Sequence, residues 1–192
     1  EMEIKEWKAL DTDKKLEFVK QVKNEIIGSH KQKNKYWNQG LLEVLLSNMD
    51  DLEMSSELLI GAYSIFVWYT NNFEDAYDCF RFHENVSDKV MDNLTKATEL
   101  NEDNRIIDLW MQILRNMLVN DIITPEKAMQ LNMIKILEGL VDNNKRINLV
   151  AQIISKLAKN SNEIKDQIME DKTILNSLID CVESKGSDSL RI

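Results

Sequence analysis

The chain contains little proline and little glycine, with one Pro and five Gly among 192 residues. Average proteins use about 5 % Pro and about 7 % Gly. These residues form the turns that folds with many short strands need in large numbers. Their scarcity therefore predicts long helices joined by short polar links. The five glycines are also isolated from one another, which excludes a Gly-rich phosphate-binding loop.

Long apolar runs and cysteines are scarce as well. No uncharged apolar run approaches the roughly 18 residues that a membrane helix requires, and the first residues do not form a signal-peptide pattern. The two cysteines, Cys79 and Cys181, each lie in an apolar pattern of helical period. We interpret them as reduced core thiols rather than as a disulfide. We therefore expect a soluble protein of the cytoplasm, with the nucleus as the alternative.

The net charge of -9 is concentrated in the middle of the chain. Residues 43–104 contain fourteen Asp and Glu, against the three basic residues Arg81, Lys89 and Lys96. Such a section repels phosphate backbones, so we expect no nucleic-acid binding. It is interpreted as a solvated acidic face, and the alternative is a site for a basic peptide.

Residues that carry enzyme chemistry are few. The two histidines are His30 and His83, and His83 follows Cys79 by four residues, which would place both on one helical face. Two ligands do not make a metal site, and neither cysteine lies in a nucleophile motif. We therefore expect no catalytic residues, no metal, no cofactor and no enzymatic activity.

The sequence repeats after polar links. Arg105-Ile106, Arg146-Ile147 and Arg191-Ile192 are separated by 41 and 45 residues, and a period in the forties is typical of helical solenoid repeats. Each repeat reads as a long helix, a short helix and a medium helix. We predict repeats over residues 55–104, 105–144 and 145–192, which form one continuous domain.

Residues 1–54 are predicted to cap these repeats with two helices. The first is capped by Asp11 or Asp13 and ends at Gly28, where a left-handed residue can close a helix. Residues 31–35 are predicted to be a polar link. The second helix is predicted over residues 38–49, which contain a run of Leu and Val.

Two segments resemble the armadillo-repeat family. Residues 113–118 (Ile-Leu-Arg-Asn-Met-Leu) and 154–158 (Ile-Ser-Lys-Leu-Ala) are similar to the Leu-x-Asn-Leu-Ala core of that family's long third helix. Residues 168–182 resemble the first and second helices of a following repeat. The resemblance covers residues 55–192 and implies an all-α, right-handed α-solenoid of about three armadillo-like repeats, preceded by an N-terminal helical pair. HEAT and MIF4G-type helical arrays remain alternatives.

The resemblance also implies where a partner binds. Third helices of armadillo proteins line a concave face, where an Asn often pairs with the backbone of an extended peptide. Asn116 falls on that position, and the aligned positions are Lys156 and, approximately, Trp68. This set differs from that of the nuclear-import receptors. The predicted partner-binding residues are Trp68, Tyr69, Arg115, Asn116, Lys156 and Lys159.

The expected function is therefore a non-enzymatic protein–protein interaction module, an adaptor or scaffold that binds a partner segment. Trp68 and Tyr69 point about 100° apart on a helix, so one of them can face this segment. An aromatic side chain beside an acidic surface suits a basic or amphipathic ligand. The alternatives are a structural segment of a larger assembly and a co-chaperone of the nucleotide-exchange type.

Overall fold

A computed structural model describes residues 4–49, 55–82, 86–99, 104–130, 133–140, 146–159, 161–170 and 172–189. Within these ranges the chain is helical and contains no β-strand. The α-helices are α1 (Thr12–Ile26), α2 (His30–Asn38), α3 (Leu41–Ser47), α4 (Ser56–Thr70), α5 (Tyr77–Phe82), α6 (Val86–Glu99), α7 (Asn104–Val119), α8 (Pro125–Gln130), α9 (Met133–Glu138), α10 (Ile147–Ala158), α11 (Asn162–Glu170) and α12 (Lys172–Ser189). Short 3-10 helices cover Ile4–Ala9 and Glu74–Ala76. None of the described helices is long and apolar enough to cross a membrane.

Side-chain oxygens begin several of these helices. Asp11, Ser29, Thr124 and Ser161 each accept a hydrogen bond from the backbone amide three residues later, at 2.9–3.3 Å. These bonds satisfy amides that have no partner inside the helix. The sequence predicted either Asp11 or Asp13 as the cap of α1, and the structure shows Asp11 in this role. The predicted end of α1 is also confirmed, because Gly28 lies just beyond the helix with a φ of +70°.

The N-terminal part contains more helix than the sequence predicted. The segment 31–35, predicted as a polar link, lies inside α2, so this prediction was wrong. Ser29 caps α2, and the helix buries Lys33 and Tyr36 (7 % and 5 % exposed) despite its polar composition. The Tyr36 hydroxyl donates to the Glu25 carboxylate at 2.7 Å, which ties α2 to α1. Among the described residues before α4 there are therefore three α-helices rather than a pair.

The long helices α1, α4, α7 and α10 pack side by side in chain order, each against the next. The helices α6, α9 and α12 make a second series of contacts, again in chain order. Because α4 lies between α1 and α7, nine of its fifteen residues are buried. This explains why its sequence is apolar around most of its circumference.

Two close approaches define the packing of α4. On one side Gly61 faces Val19 of α1, where a Cβ atom would lie 2.5 Å from the Val19 Cγ1 atom. On the other side the ring of Tyr63 contacts that of Trp110 on α7, with the centroids 4.0 Å apart. Glycine therefore allows α1 to approach closely, and aromatic rings fill the space towards α7.

In the recurring Arg-Ile pair, the isoleucine is buried at both of the positions that the structure describes. Ile106 and Ile147 begin α7 and α10 and are both buried (3 % and 2 % exposed). Arg146 is 7 % exposed, and its Nε donates to the Asp108 carboxylate at 2.7 Å. One of its terminal nitrogens donates to the Asn104 side chain at 2.7 Å. Arg146 thereby ties the start of α10 to the start of α7. Residues 191–192 lie outside the described residues.

The lengths of the helices agree only in part with the predicted order of long, short and medium. That order describes α4, α5 and α6, which have 15, 6 and 14 residues. The next unit ends in the six-residue α9, and the following one ends in the 18-residue α12. The helices α1, α2 and α3 do not follow this order either, because their lengths decrease from 15 to 9 to 7 residues.

Replacement of Gly61 by Ala should destabilise the protein. A new methyl group would overlap Val19 Cγ1, and overpacking in a core costs about 1–3 kcal/mol. This exceeds the gain of about 1 kcal/mol that Ala brings to a helix interior. Urea denaturation should therefore give a lower free energy of unfolding, which the second substitution Val19→Ala should partly restore.

Gly139→Ala is the matched control. A Cβ atom there would lie 3.6 Å from the Ile136 carbonyl oxygen, an ordinary contact, so the free energy of unfolding should stay within about 0.5 kcal/mol of that of the wild type. Equal stability of Gly61→Ala and the wild type would contradict the close packing of α1 on α4.

Candidate functional site

The six residues predicted to bind a partner lie on three consecutive long helices. Trp68 and Tyr69 belong to α4, and Arg115 and Asn116 belong to α7. Lys156 belongs to α10, and Lys159 is the first residue after the end of α10. The structure brings Arg115, Lys156 and Lys159 together and places the other three elsewhere.

The three cations line an open groove between α7 and α10, which we call the basic groove. Its volume is about 520 Å³. The lining residues are Arg115, Val119, Ala151, Gln152, Ser155, Lys156 and Lys159. The spacing of the α10 side places Gln152, Lys156 and Lys159 on one helical face. None of the lining residues is acidic, although the chain as a whole carries a net charge of -9.

Arg115 is held at the edge of the groove by its neighbour. Its Nη1 donates to the Asn116 side-chain oxygen at 2.9 Å, whereas its buried Nε has no hydrogen-bond partner. A guanidinium offers five donors in a fixed plane. Arg115 is therefore positioned in the groove with part of its donor capacity unused.

Lys156 contributes both to the groove and to the joint between the helices. Its Nζ donates to the Val119 carbonyl at 3.3 Å and lies 3.4 Å from the Asp121 carboxylate. The Lys156 side chain is 19 % exposed, whereas that of Asp121 is 76 % exposed. A cation at this place donates to a carbonyl in the last turn of α7 and is stabilised by the negative end of the helix dipole.

Asn116 makes the equivalent contact between α7 and the preceding long helix, α4. It is 3 % exposed, and its Nδ2 donates to the Val67 carbonyl at 3.2 Å and to the Thr70 hydroxyl at 3.3 Å. Asn120 adds a bond to the Thr70 carbonyl at 2.7 Å. The amide predicted to hold a peptide backbone thus holds the last turn of α4. Since Arg115 occupies its oxygen, Asn116 presents no open hydrogen-bonding group to a partner in this structure.

The two aromatic residues contact Lys33 of α2 rather than lining this groove. Tyr69 is fully buried, and its hydroxyl donates to the Lys33 carbonyl at 2.9 Å. Burial raises the pKa of this hydroxyl above its ordinary value. Trp68 is half-buried, and the Lys33 ammonium lies 5.4 Å from its ring centroid. Neither aromatic residue contributes to the basic groove.

Lys33 itself is a buried cation among rings. Its Nζ lies 6.0 Å from the centroid of Phe73 and 3.5 Å from the Asn71 carbonyl. Burial lowers the pKa of Lys33, because desolvation disfavours the charged form. Lys33 therefore donates to a carbonyl at the carboxyl end of α4. Asn116 and Lys156 make similar bonds at the ends of α4 and α7.

A second depression, the acidic depression, lies beside the basic groove and has a volume of about 710 Å³. Its lining residues are His30, Asn72, Glu74, Asp75, Tyr77, Asp78, Arg81, Val119, Asn120 and Asp121. Arg81 forms an ion pair with Asp78 and donates to the Asp121 carbonyl. Val119 lines both depressions and is 45 % exposed. The charge of the lining residues therefore changes from positive in the basic groove to mainly negative in the acidic depression, with Val119 at the boundary.

Metal-ligating side chains do not converge in the described part of the chain: no three His, Cys, Asp or Glu residues there are grouped to hold a metal ion. The Cys79 side chain is partly buried on α5, and His83, its partner in the weak metal signal, lies outside the described residues. Burial and the nearby Glu43 raise the pKa of the Cys79 thiol from 9.0 to about 11.

The sequence analysis missed Val119, Gln152, Ser155 and Asp121 as residues in or beside the groove. Gln152 and Ser155 could have been found from their spacing to Lys156 and Lys159 on one helix. Val119 and Asp121 carried no such signal, because they depend on how α7 ends. Asp121 has a φ of +53°, a left-handed conformation that Asp tolerates better than most residues.

Asn116→Ala should lower the free energy of unfolding by about 1–3 kcal/mol, because it removes the donor to a partly buried carbonyl and a buried hydroxyl of α4. Urea denaturation measures the change. Asn38→Ala, at an exposed position that ends α2, is the matched control and should change the stability by less than about 0.5 kcal/mol. Similar stabilities of the two variants would show that the joint contributes little.

Cys79 should react slowly with iodoacetamide in the folded protein. A thiol with a pKa of about 11 instead of 9.0 carries about a hundredth of the thiolate at pH 8. Mass spectrometry of the peptide that contains Cys79 should show alkylation that is at least tenfold faster after unfolding in urea. Equal rates in both states would contradict a buried thiol.

Comparison with known proteins leaves the site to be interpreted from its own geometry. No protein-family model matches the chain, and no curated protein or solved structure matches it. What the groove can do therefore rests on its shape, its charges and its hydrogen bonds.

Proposed function

We propose that this chain is a non-enzymatic protein-interaction module of the armadillo-like type, which binds a segment of a partner protein in the basic groove. The helix packing supports the architecture. Long helices form one row and α6, α9 and α12 form another, as expected for a right-handed α-solenoid in which each repeat contacts its neighbours.

The observation that carries the proposal is the convergence of Arg115, Lys156 and Lys159 in one groove. Like charges repel one another, so their convergence costs free energy in the absence of a ligand. A bound segment with complementary charge removes this cost. Three residues that the family resemblance selected from the sequence also line this groove.

The groove is rigid enough to serve as a binding surface. Its two walls, α7 and α10, are joined near one end by Arg146 and near the other end by Lys156. A surface that is already ordered loses little conformational entropy when a ligand binds. The packing of the helices therefore supports recognition without a large rearrangement.

The surroundings of the groove favour a protein segment over a nucleic acid. Asp121 lies beside Lys156, and the acidic depression begins on the other side of Val119. A long polyanion would pass over these carboxylates and be repelled by them. A peptide can place suitable groups in the groove and different groups outside it.

The alternative function is that of a structural segment in a larger assembly. Met169 on α11 and Ile179 on α12 are exposed by 63 % and 45 %. If these side chains join into one apolar patch, that patch is a candidate for contact with another protein. This alternative places the interface on the last described helices rather than in the basic groove.

Lys159→Glu should weaken the capture of a partner by roughly tenfold, because it reverses an exposed charge in the groove. Three immobilised proteins would be compared: the wild type, Lys159→Glu and Lys31→Glu. Lys31 is equally exposed but lies on α2, so its variant controls for net charge. Quantitative mass spectrometry of proteins captured from a lysate of the source organism measures the difference.

At least one partner should be lost from the Lys159→Glu bait and retained by the Lys31→Glu bait. Identical partners on all three baits would contradict binding in the groove. If Met169→Lys instead removed the partners that Lys159→Glu retains, the structural alternative would be favoured.

A further inference from the structure

We infer that the basic groove takes an acidic peptide segment, one carboxylate of which replaces Asp121 as the ion-pair partner of Lys156. This inference rests on the proposed function and specifies the partner. It differs from the expectation of a basic or amphipathic ligand, which was drawn from the overall charge of the middle section.

The charges of the groove favour carboxylates over every other peptide group. A guanidinium and two ammonium groups line it, and no acidic residue does. Arginine and lysine bind carboxylates through charge-assisted hydrogen bonds, which are shorter and stronger than neutral ones. Gln152 and Ser155 add neutral donors on the same wall, so the groove offers mainly positive and donor groups.

Asp121 is the group that a ligand must displace. Its side chain is 76 % exposed and lies 3.4 Å from the Lys156 Nζ. A pair with one partner so exposed is weak, because water and salt screen it. A ligand carboxylate that also reaches Lys159 or Arg115 gains a second cation, so it can compete with Asp121 for Lys156.

Displacement of Asp121 need not disturb the joint between α7 and α10. The Lys156 Nζ also donates to the Val119 carbonyl at 3.3 Å, and an ammonium has three donors. Lys156 can therefore keep its bond to α7 while its remaining donors bind the ligand. Asp121 thus screens the groove when it is empty.

The groove also limits where the carboxylates can lie. Val119 and Ala151 add apolar surface beside the cations, and the acidic depression lies just beyond Val119. Carboxylates outside the groove would meet Glu74, Asp75 or Asp78 and be repelled. The favoured ligand is therefore a short acidic segment with small apolar residues, not a long polyacidic run.

A phage-displayed library of random peptides, selected on the wild-type protein, provides an unbiased test. Selected peptides should be enriched in Asp and Glu. Synthetic copies in which these residues are replaced by Asn and Gln should bind at least about tenfold more weakly by fluorescence polarisation. Lys159→Gln should weaken the selected acidic peptides, whereas Lys31→Gln should leave their affinity unchanged.

Asp121→Asn is the decisive variant. Asn72 occupies the equivalent turn after α4 with a φ of +57°, close to the +53° of Asp121, so Asn fits the backbone. Removal of the competing carboxylate should tighten the binding of acidic peptides by about twofold to fivefold. Circular dichroism and urea denaturation would verify that the variant is folded.

The outcomes separate this inference from the proposed function. If no peptide is selected and none binds, the proposed function fails. If peptides are selected whose binding depends on Lys159 but not on their own carboxylates, or if Asp121→Asn weakens binding, the groove binds a partner but the inference is wrong. Enrichment of Lys and Arg would likewise overturn it and would assign binding to the acidic depression.

Discussion

The packing of the long helices depends on how the last turns of α4 and α7 are satisfied. The final carbonyl groups of an α-helix have no amide partner within the helix. Here they take donors from the next long helix: Asn116 and Asn120 of α7 bind the end of α4, and Lys156 of α10 binds the end of α7. Because a carbonyl without a donor costs more free energy when it is withdrawn from water, the partly buried bonds of Asn116 and Asn120 favour one register of α7 against α4.

The same constraint determines which residues remain for binding. The Asn116 amide nitrogen binds α4 and its oxygen binds Arg115, so its resemblance to a peptide-binding Asn does not make it a ligand contact in this structure. Lys156 has three donors and can serve both the joint and the groove. Lys159 and Arg115 lie next to the joint without being needed to close it, and they provide the charge of the groove.

Much of the helical framework could be predicted from the sequence, since capping and apolar periodicity are local. The cap at Asp11 and the end at Gly28 are examples. The helix α2 could not be predicted from its polar residues, because it depends on the burial of Lys33 and Tyr36 against distant helices. Local signals therefore identified most elements but not their neighbours.

The candidate site was predictable to a smaller extent. Arg115, Lys156 and Lys159 were named from the sequence, and they lie together because α10 packs on α7. The sequence did not indicate that Tyr69 is buried or that Asn116 is committed to α4, since both depend on residues 36 to 49 positions away. The positive charge of the groove could not be predicted either, because the acidic residues elsewhere outweigh its three cations in the net charge of the chain.

The joints also impose an order on protein synthesis. Their donors lie on the later helix, so the end of α4 must wait for residues that are made 46 and 50 positions after Thr70. While the chain grows from the ribosome, the last turn of α4 therefore lacks these side-chain donors until α7 emerges. The closure of this contact during translation would therefore lag behind the synthesis of α4 by about 50 residues.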